Sequence, residues 1–296
     1  MPRLSNSLRT HLRRLFGDDG ELVADRPVAG GCIHEARLLR LSGGREVFLK
    51  SHASPPPGIF TAEAAGLRAL GEAGVLRVPE VLAVVDDGPD GSSFLLLEAV
   101  TVGPTRTGFF EAFGAALARL HVAAQGSAWG FEHDNFLGAT PQPNGFLASW
   151  PAFWAERRLG FQIDLARRRG LSDPELDDAV DRLLHRLPAL LGGVDEAPAL
   201  LHGDLWSGNY MVDDKGRPVL IDPATYYGHR EAELAMCRLF GGFPSSFYAA
   251  YTEEGPLAPG HPERGRVYEL YHLLNHLNLF GRSYRASCLS CLRPLL

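Results

Sequence analysis

The sequence predicts an α+β fold in two lobes, a small antiparallel sheet lobe over residues 1–99 followed by a larger, mainly helical lobe over residues 100–296. Three observations predict it. Short apolar runs alternate with glycine-rich turns early in the chain, apolar residues three and four apart dominate the remainder, and Gly103-Pro104 punctuates the chain where a hinge between lobes is expected. With 45% apolar and 22% charged residues among 296, the chain is long enough to build a core in each lobe.

Taken in order, Arg3 to Phe16 is rich in arginine and free of acids, which superficially suits a transit peptide, but Leu4, Leu8, Leu12 and Leu15 recur at helical spacing and predict a docked surface helix. Strands are expected at Arg26 to Ala29, Ile33 to Leu41 and Glu46 to Lys50, with Ser42-Gly43-Gly44 as the turn between the last two. In the third strand Phe48 and Lys50 share one face and Val47 and Leu49 the other. Phe60, Ala64, Leu67 and Leu70 then mark a helix ending near Gly71 to Gly74; it carries Glu63, which its buried stripe brings within reach of Lys50. Strands follow at Val81 to Val85 and Phe94 to Glu98. Beyond the hinge, helices are expected at Phe109 to His121, Trp150 to Arg169, Pro174 to Leu187 and Arg266 to Phe280, with Pro141 to Gly145 as a loop and strands confined to the region around residues 200–222.

Composition narrows the function. A formal charge of -6 argues against a nucleic-acid or anionic membrane surface, and no apolar run reaches the roughly 18 residues of a membrane span. A cytoplasmic protein, monomeric or weakly dimeric, is the expectation. Cys32, Cys237, Cys288 and Cys291 are too scattered for a disulfide framework, and Cys288 and Cys291, although spaced C-x-x-C, lack the partners of a zinc site and read as tail residues. Only two of the 29 basic residues are lysines, Lys50 and Lys215. In a chain that otherwise uses arginine, a retained lysine suits a compact point charge on phosphate.

The segment Leu201-His202-Gly203-Asp204-Leu205-Trp206-Ser207-Gly208-Asn209, followed by Val219-Leu220-Ile221-Asp222-Pro223, carries the chemistry. Its His-x-Asp-x-x-x-x-Asn spacing resembles the catalytic loop of the protein-kinase-like fold, where phosphoryl transfer depends on positioning and charge neutralisation. That resemblance implies ATP as donor, Asp204 as the base that accepts the substrate hydroxyl proton, and Asn209 and Asp222 as oxygen ligands of Mg2+.

Across nearly its whole length the chain resembles the fructosamine kinase family, relatives of the aminoglycoside phosphotransferases. The resemblance is carried by Gly30-Gly31-Cys32-Ile33, Val47-Phe48-Leu49-Lys50, Trp129-Gly130-Phe131, Asp134-Asn135-Phe136 and the catalytic segment. It continues in Asp222-Pro223-Ala224, Tyr227-Gly228-His229, Phe240-Gly241-Gly242-Phe243 and Leu273-Leu274-Asn275-His276-Leu277-Asn278. It implies an ATP-dependent kinase of ketoamines, free or protein-bound, that phosphorylates the sugar 3-hydroxyl of fructosamine or ribulosamine adducts and so leads to deglycation of the amine. It further implies that Lys50, paired to Glu63, meets the ATP phosphates, that Gly30 and Gly31 cradle phosphate, that Glu98, Ala99 and Val100 read the adenine edge, and that His202 orients the loop. Asp222-Pro223-Ala224 stands where protein kinases carry Asp-Phe-Gly, and no Ala-Pro-Glu segment follows, so an activation loop under phosphorylation control is not expected.

Trp206, Tyr227 and His229 lie close in sequence to the implied base and metal ligands and are candidates for lining the substrate cleft, with a core or loop-packing role as the other reading. Cys32 in the phosphate loop is either a small packed residue or an oxidisable thiol. Two other functions stay open at this level: a kinase of another hydroxylated amine, such as an aminoglycoside, and a silent nucleotide-binding module, which the presence of Lys50, Asp204, Asn209 and Asp222 together disfavours.

Overall fold

A computed structural model describes residues 5–28, 35–88, 90–193 and 195–296. Helix α1 (Asn6–Phe16) starts where the Ser5 hydroxyl accepts the Leu8 N–H, and it buries Leu8 and Leu12 while Leu15 stays exposed. Five antiparallel strands follow, interrupted by helix α2 (Ile59–Glu72): β1 (Leu22–Pro27), β2 (Glu35–Leu41), β3 (Glu46–Ser51), β4 (Val81–Val85) and β5 (Phe94–Glu98). Their order in the sheet is β1-β2-β3-β5-β4.

The period-two alternation of β3 decides what lies on each face. Val47 and Leu49 join Leu39, Leu41 and Leu96 under α1, whereas Phe48 packs with Ile59, Phe60, Ala64 and Leu67 of α2 on the opposite side. Lys50, in phase with Phe48, therefore faces α2. Burying each such leucine stabilises the lobe by about 2 kcal/mol.

The rest of the chain is built on helices around the largest apolar cluster. Helix α3 (Phe109–Ala123) precedes a hairpin of β6 (Asn135–Leu137) and β7 (Thr140–Gln142). One helical run then covers α4 (Trp150–Phe153), a π-helical turn (Trp154–Gly160) and α5 (Phe161–Arg168), and α6 (Pro174–Leu191) follows. The short strands β8 (Ala199–Leu201), β9 (Tyr210–Val212), β10 (Pro218–Leu220) and β11 (Tyr226–Gly228) pair β8 with β11 and β9 with β10. Helices α7 (Arg230–Leu239), α8 (Ser245–Glu254), α9 (His261–Phe280) and α10 (Arg285–Leu292) complete the chain. Helices α3 and α8 meet backbone to backbone at Gly114, where a Cβ would lie 2.1 Å from the Phe247 carbonyl oxygen. Among the described residues no helix is long and apolar enough to cross a membrane.

Several expectations are corrected. Pro141 to Gly145 is not a plain loop: Thr140 to Gln142 forms β7, so strands are not confined to the region around residues 200–222, and Gln142 and Asn144 are buried by hydrogen bonds that composition does not reveal. Helix α6 runs through Pro188 to Leu191, because a proline in the last turn gives up one hydrogen bond without blocking the apolar stripe of Leu183, Leu187 and Leu191. Helix α9 starts at His261, with Pro262 in its first turn. Cys288 and Cys291 are not loose tail residues. Both are buried in α10, and burial pushes each thiol up to about 12, which keeps them protonated. Ile33 and the Gly30-Gly31-Cys32 segment lie outside the described residues.

Candidate functional site

The site forms where two loops meet between the sheet lobe and the helical lobe. The first leaves β8 at His202 and reaches β9 at Asn209; the second leaves β10 and carries Asp222. They are tied to each other, since the Ala224 N–H donates to the His202 carbonyl (2.8 Å) and the Ile221 N–H to the Asn209 carbonyl (3.1 Å). Gly203 permits that approach. Its φ is 84°, and a Cβ there would sit 2.1 Å from the Ala224 carbonyl oxygen.

His202 braces the loops from within. Its ring is fully buried, Nδ1 accepts the Asp204 N–H (3.2 Å), and Nε2 lies 2.8 Å from the Ile221 carbonyl, which assigns the proton to Nε2. Burial lowers its pKa below the ordinary histidine value, so the ring is neutral and fully engaged. The loop is also held by a residue that sequence reasoning missed. Glu233, buried in the first turn of α7, accepts the N–H groups of His202 (2.5 Å) and Gly203 (3.1 Å). A glutamate set among Ala232, Leu234 and Ala235 was the available signal, because a charge buried beside apolar neighbours needs donors nearby.

Asp204 is half-buried and accepts from Asn209 Nδ2 on Oδ2 (3.0 Å). Burial raises its pKa well above the usual carboxylate range; the Asn209 hydrogen bond opposes this and the charges of Asp222 and Glu233 add to it. Asn209 Nδ2 also donates to the Asp204 carbonyl (2.8 Å). With both amide hydrogens committed to Asp204, Oδ1 points away from it and has no hydrogen-bond partner among the described residues.

Asp222 adopts a left-handed backbone conformation, φ 57°, which is uncommon for a residue other than glycine. Its carboxylate pairs with Lys50 from the sheet lobe, and the same ammonium contacts Glu63 Oε1 of α2 at 2.6 Å. Burial opposes the ammonium, but the charges of Glu63 and Asp222 outweigh it and raise the Lys50 pKa. Burial raises the Glu63 pKa, Lys50 lowers it, and Asp222 raises it further. Helix α2 reaches the Asp222 loop at Gly66, where a Cβ would lie 2.8 Å from Thr225 Oγ1 and 3.3 Å from Pro223 Cγ.

The structure thus gathers Lys50, Glu63, Asp204, Asn209 and Asp222. Fully ionised, three carboxylates face one ammonium here. The surplus negative charge and the outward Asn209 oxygen form a donor set suited to a hard divalent cation such as Mg2+. Among the described residues no three His, Cys, Asp or Glu side chains gather into a metal cluster, so oxygen donors beyond the protein would have to complete the shell.

The other candidates are placed differently. Trp206 is exposed at the loop surface and lies over Gly208, where a Cβ would be 2.4 Å from its ring. Tyr227 is half-buried in β11, its backbone paired to Gly130 and its ring over Gly126. His229 is not brought to the cleft. Its ring is buried between Trp150 and Tyr268, with Nε2 3.5 Å from Glu196, and burial lowers its pKa. At the end of β5 the Glu98 N–H donates to the Glu80 carbonyl (2.9 Å) and its carboxylate pairs with Arg77, leaving Ala99 and Val100 to continue toward the second lobe. Gly30 and Gly31 lie outside the described residues.

Comparison with known proteins gives this site a lineage. A profile of the fructosamine kinase family matches residues 4–296. A probable ketoamine kinase of Synechocystis sp. is 42% identical over 290 residues, covering 98% of this chain and 96% of its own length. The chloroplastic protein-ribulosamine 3-kinase of Oryza sativa subsp. indica is 42% identical over 266 residues, covering 89% of this chain and 76% of its own. The crystal structure of a candidate fructosamine-3-kinase from Thermobifida fusca superposes with a TM-score of 0.87 at 34% identity, covering 99% of each chain. An aminoglycoside phosphotransferase, APH(4)-Ia, shares the fold with a TM-score of 0.63 at 16% identity, over 97% of this chain and 98% of its own.

Proposed function

The chain belongs to the fructosamine kinase family and is an ATP-dependent kinase, and from that premise we propose that it phosphorylates the sugar 3-hydroxyl of ketoamines, releasing the amine afterwards. The observation that carries this reading is the convergence of Asp204, Asn209, Asp222 and Lys50 at one point between the lobes while His202 is neutral and locked inside the loop. We place the lobe boundary between residues 99 and 100.

In this reading Asp204 receives the proton of the attacking hydroxyl. Its carboxylate is oriented by Asn209, and burial, with the charges of Asp222 and Glu233 adding to it, raises its proton affinity, which suits a base for a weakly acidic alcohol. Lys50 contacts phosphate oxygens and is held over them by Glu63. Asn209 Oδ1 and the Asp222 carboxylate would hold Mg2+, which when bound neutralises charge on the transferring phosphoryl group. Ala99 and Val100, together with the Glu98 carbonyl, are the backbone groups offered to adenine, since the Glu98 N–H is engaged within the sheet. Trp206 offers a ring face to the sugar or amine portion, with Tyr227 deeper in the second lobe. Relatives named for ketoamines and protein ribulosamines support that substrate class; in this reading the acceptors are adducts of amines or of protein lysines, and deglycation is the outcome.

The test is ADP release by the purified protein with ATP, Mg2+ and ribulose- or fructose-modified lysine, beside unmodified lysine and an aminoglycoside. Adduct-dependent release is expected. Turnover on the aminoglycoside with none on either adduct would overturn the substrate class.

A further inference from the structure

Behind the Asp222 loop lies a buried polar network that the reaction as described does not use. Its head is Arg158, on the π-helical turn between α4 and α5. The side chain is fully buried, and among the described residues it forms no ion pair. Its guanidinium lies over the rings of Tyr226 (4.1 Å), Phe153 (4.5 Å) and Tyr271 (5.6 Å) and donates to the Pro143 carbonyl (2.7 Å) and Asn144 Oδ1 (2.7 Å). A buried charge without an opposite charge is costly even over ring faces and acceptor oxygens, so a chain that keeps one here draws a specific benefit from it. A π-helical turn, which often marks a functional position, aims that side chain.

The benefit follows from the direction of the hydrogen bonds. Arginine only donates, so Asn144 must turn its oxygen toward Arg158 and its amide hydrogens toward Asn135 Oδ1 (2.8 Å). Asn135 must then present its own hydrogens to the Thr225 carbonyl (2.8 Å). A second branch starts at the Tyr271 hydroxyl, which donates to Gln142 Oε1 (2.6 Å), and Gln142 Nε2 donates to Asn135 Oδ1 (2.7 Å) and to the Ala224 carbonyl (3.0 Å). Both branches end on the carbonyls two and three residues after Asp222, the residue whose backbone is held in a left-handed conformation.

We propose that Arg158 is a positioning residue for the Asp222 segment: it fixes the polarity of the Asn144, Asn135 and Gln142 amides and thereby holds the loop that presents the Asp222 carboxylate. The inference rests on the reading of Asp222 as a ligand of Mg2+. Loss of a partner behind a metal ligand typically weakens metal affinity by roughly 10- to 100-fold. Arg158→Met keeps most of the volume and removes every donor. The readout is the Mg2+ concentration that half-saturates the rise in melting temperature in the presence of a non-hydrolysable ATP analogue, measured alongside the KM for ketoamine.

The expected result for Arg158→Met is a half-saturating Mg2+ concentration raised by about 10-fold or more, with the ketoamine KM unchanged. A lower melting temperature with an unaltered Mg2+ half-point overturns the proposal, because the network would then serve stability alone. Should the variant fail to fold, Tyr271→Phe deletes one oxygen at the head of the other branch and must shift the half-point in the same direction; no shift overturns the proposal. Asp222→Asn separates the two levels. If it leaves the Mg2+ half-point unchanged, the metal reading falls; if it raises the half-point while Arg158→Met does not, only the positioning role falls.

Discussion

Asp204 is a carboxylate held where ionisation is unfavourable, and two results follow at the scale of that residue. Asp204→Asn should lower kcat by roughly 10²- to 10⁴-fold, read by ADP release, with nucleotide-induced thermal stabilisation retained. Stability moves the other way. A folded pKa above the unfolded value stabilises the protein below the ordinary carboxylate range, and that contribution is lost as pH rises through the folded value. The asparagine variant should therefore melt higher than the parent near neutrality, and the gap should close on acidification. Replacing Glu233 costs stability instead, because its carboxylate accepts two backbone N–H groups that a substituted amide would confront. Glu233→Gln should cost about 1–3 kcal/mol in urea unfolding and lower turnover through the loosened loop.

At the scale of elements, the chemistry depends on how closely α2 approaches the Asp222 loop. That approach is set at Gly66, which has no side chain to hold Thr225 and Pro223 away. Gly66→Leu should push the helix outward, separate Glu63 and Lys50 from Asp222, and raise the KM for ATP at least several-fold while leaving the affinity for ketoamine intact; steady-state kinetics in both substrates checks it. How far such elements are legible in sequence follows from what each pattern reports. β4 and β5 match their expected limits because alternation and flanking turns act locally, and the Lys50 to Glu63 pairing follows from strand phase and helix stripe. Helices α7, α8 and α10 escaped the reading because eight to ten residues give a helical period too few repeats to stand out. His229 takes the core-packing reading over the cleft, because proximity in sequence to Asp222 says nothing about which way β11 leads the chain, and here it leads into the core. The hairpin of β6 and β7 was hidden by its polar residues, whose partners are carbonyls more than eighty positions away.

At the scale of the whole molecule, Arg77 joins the lobes, donating both to Glu98 at the end of β5 and to the buried Asp213 between β9 and β10. Burial alone would raise the Asp213 pKa, but hydrogen bonds from Arg217 and Arg77 hold it well below the usual range. A depressed carboxyl pKa contributes stability above the unfolded value that is lost as pH falls through the folded one. Arg77→Gln should therefore lower the urea midpoint at neutral pH, and the parent and variant midpoints should converge in acid; a pH series of unfolding curves reads this directly. The lysine economy of the chain has its own consequence at this scale. Of its two lysines, Lys215 is exposed and Lys50 is buried between two carboxylates, so reducing sugars find almost no reactive side-chain amine on the folded surface. Incubation with ribose followed by peptide mass mapping should place lysine adducts on Lys215 and spare Lys50 until urea opens the fold. A protein proposed to reverse sugar damage to amines thus shelters the lysine at its centre from that same damage, simply by keeping it charged, paired and out of reach.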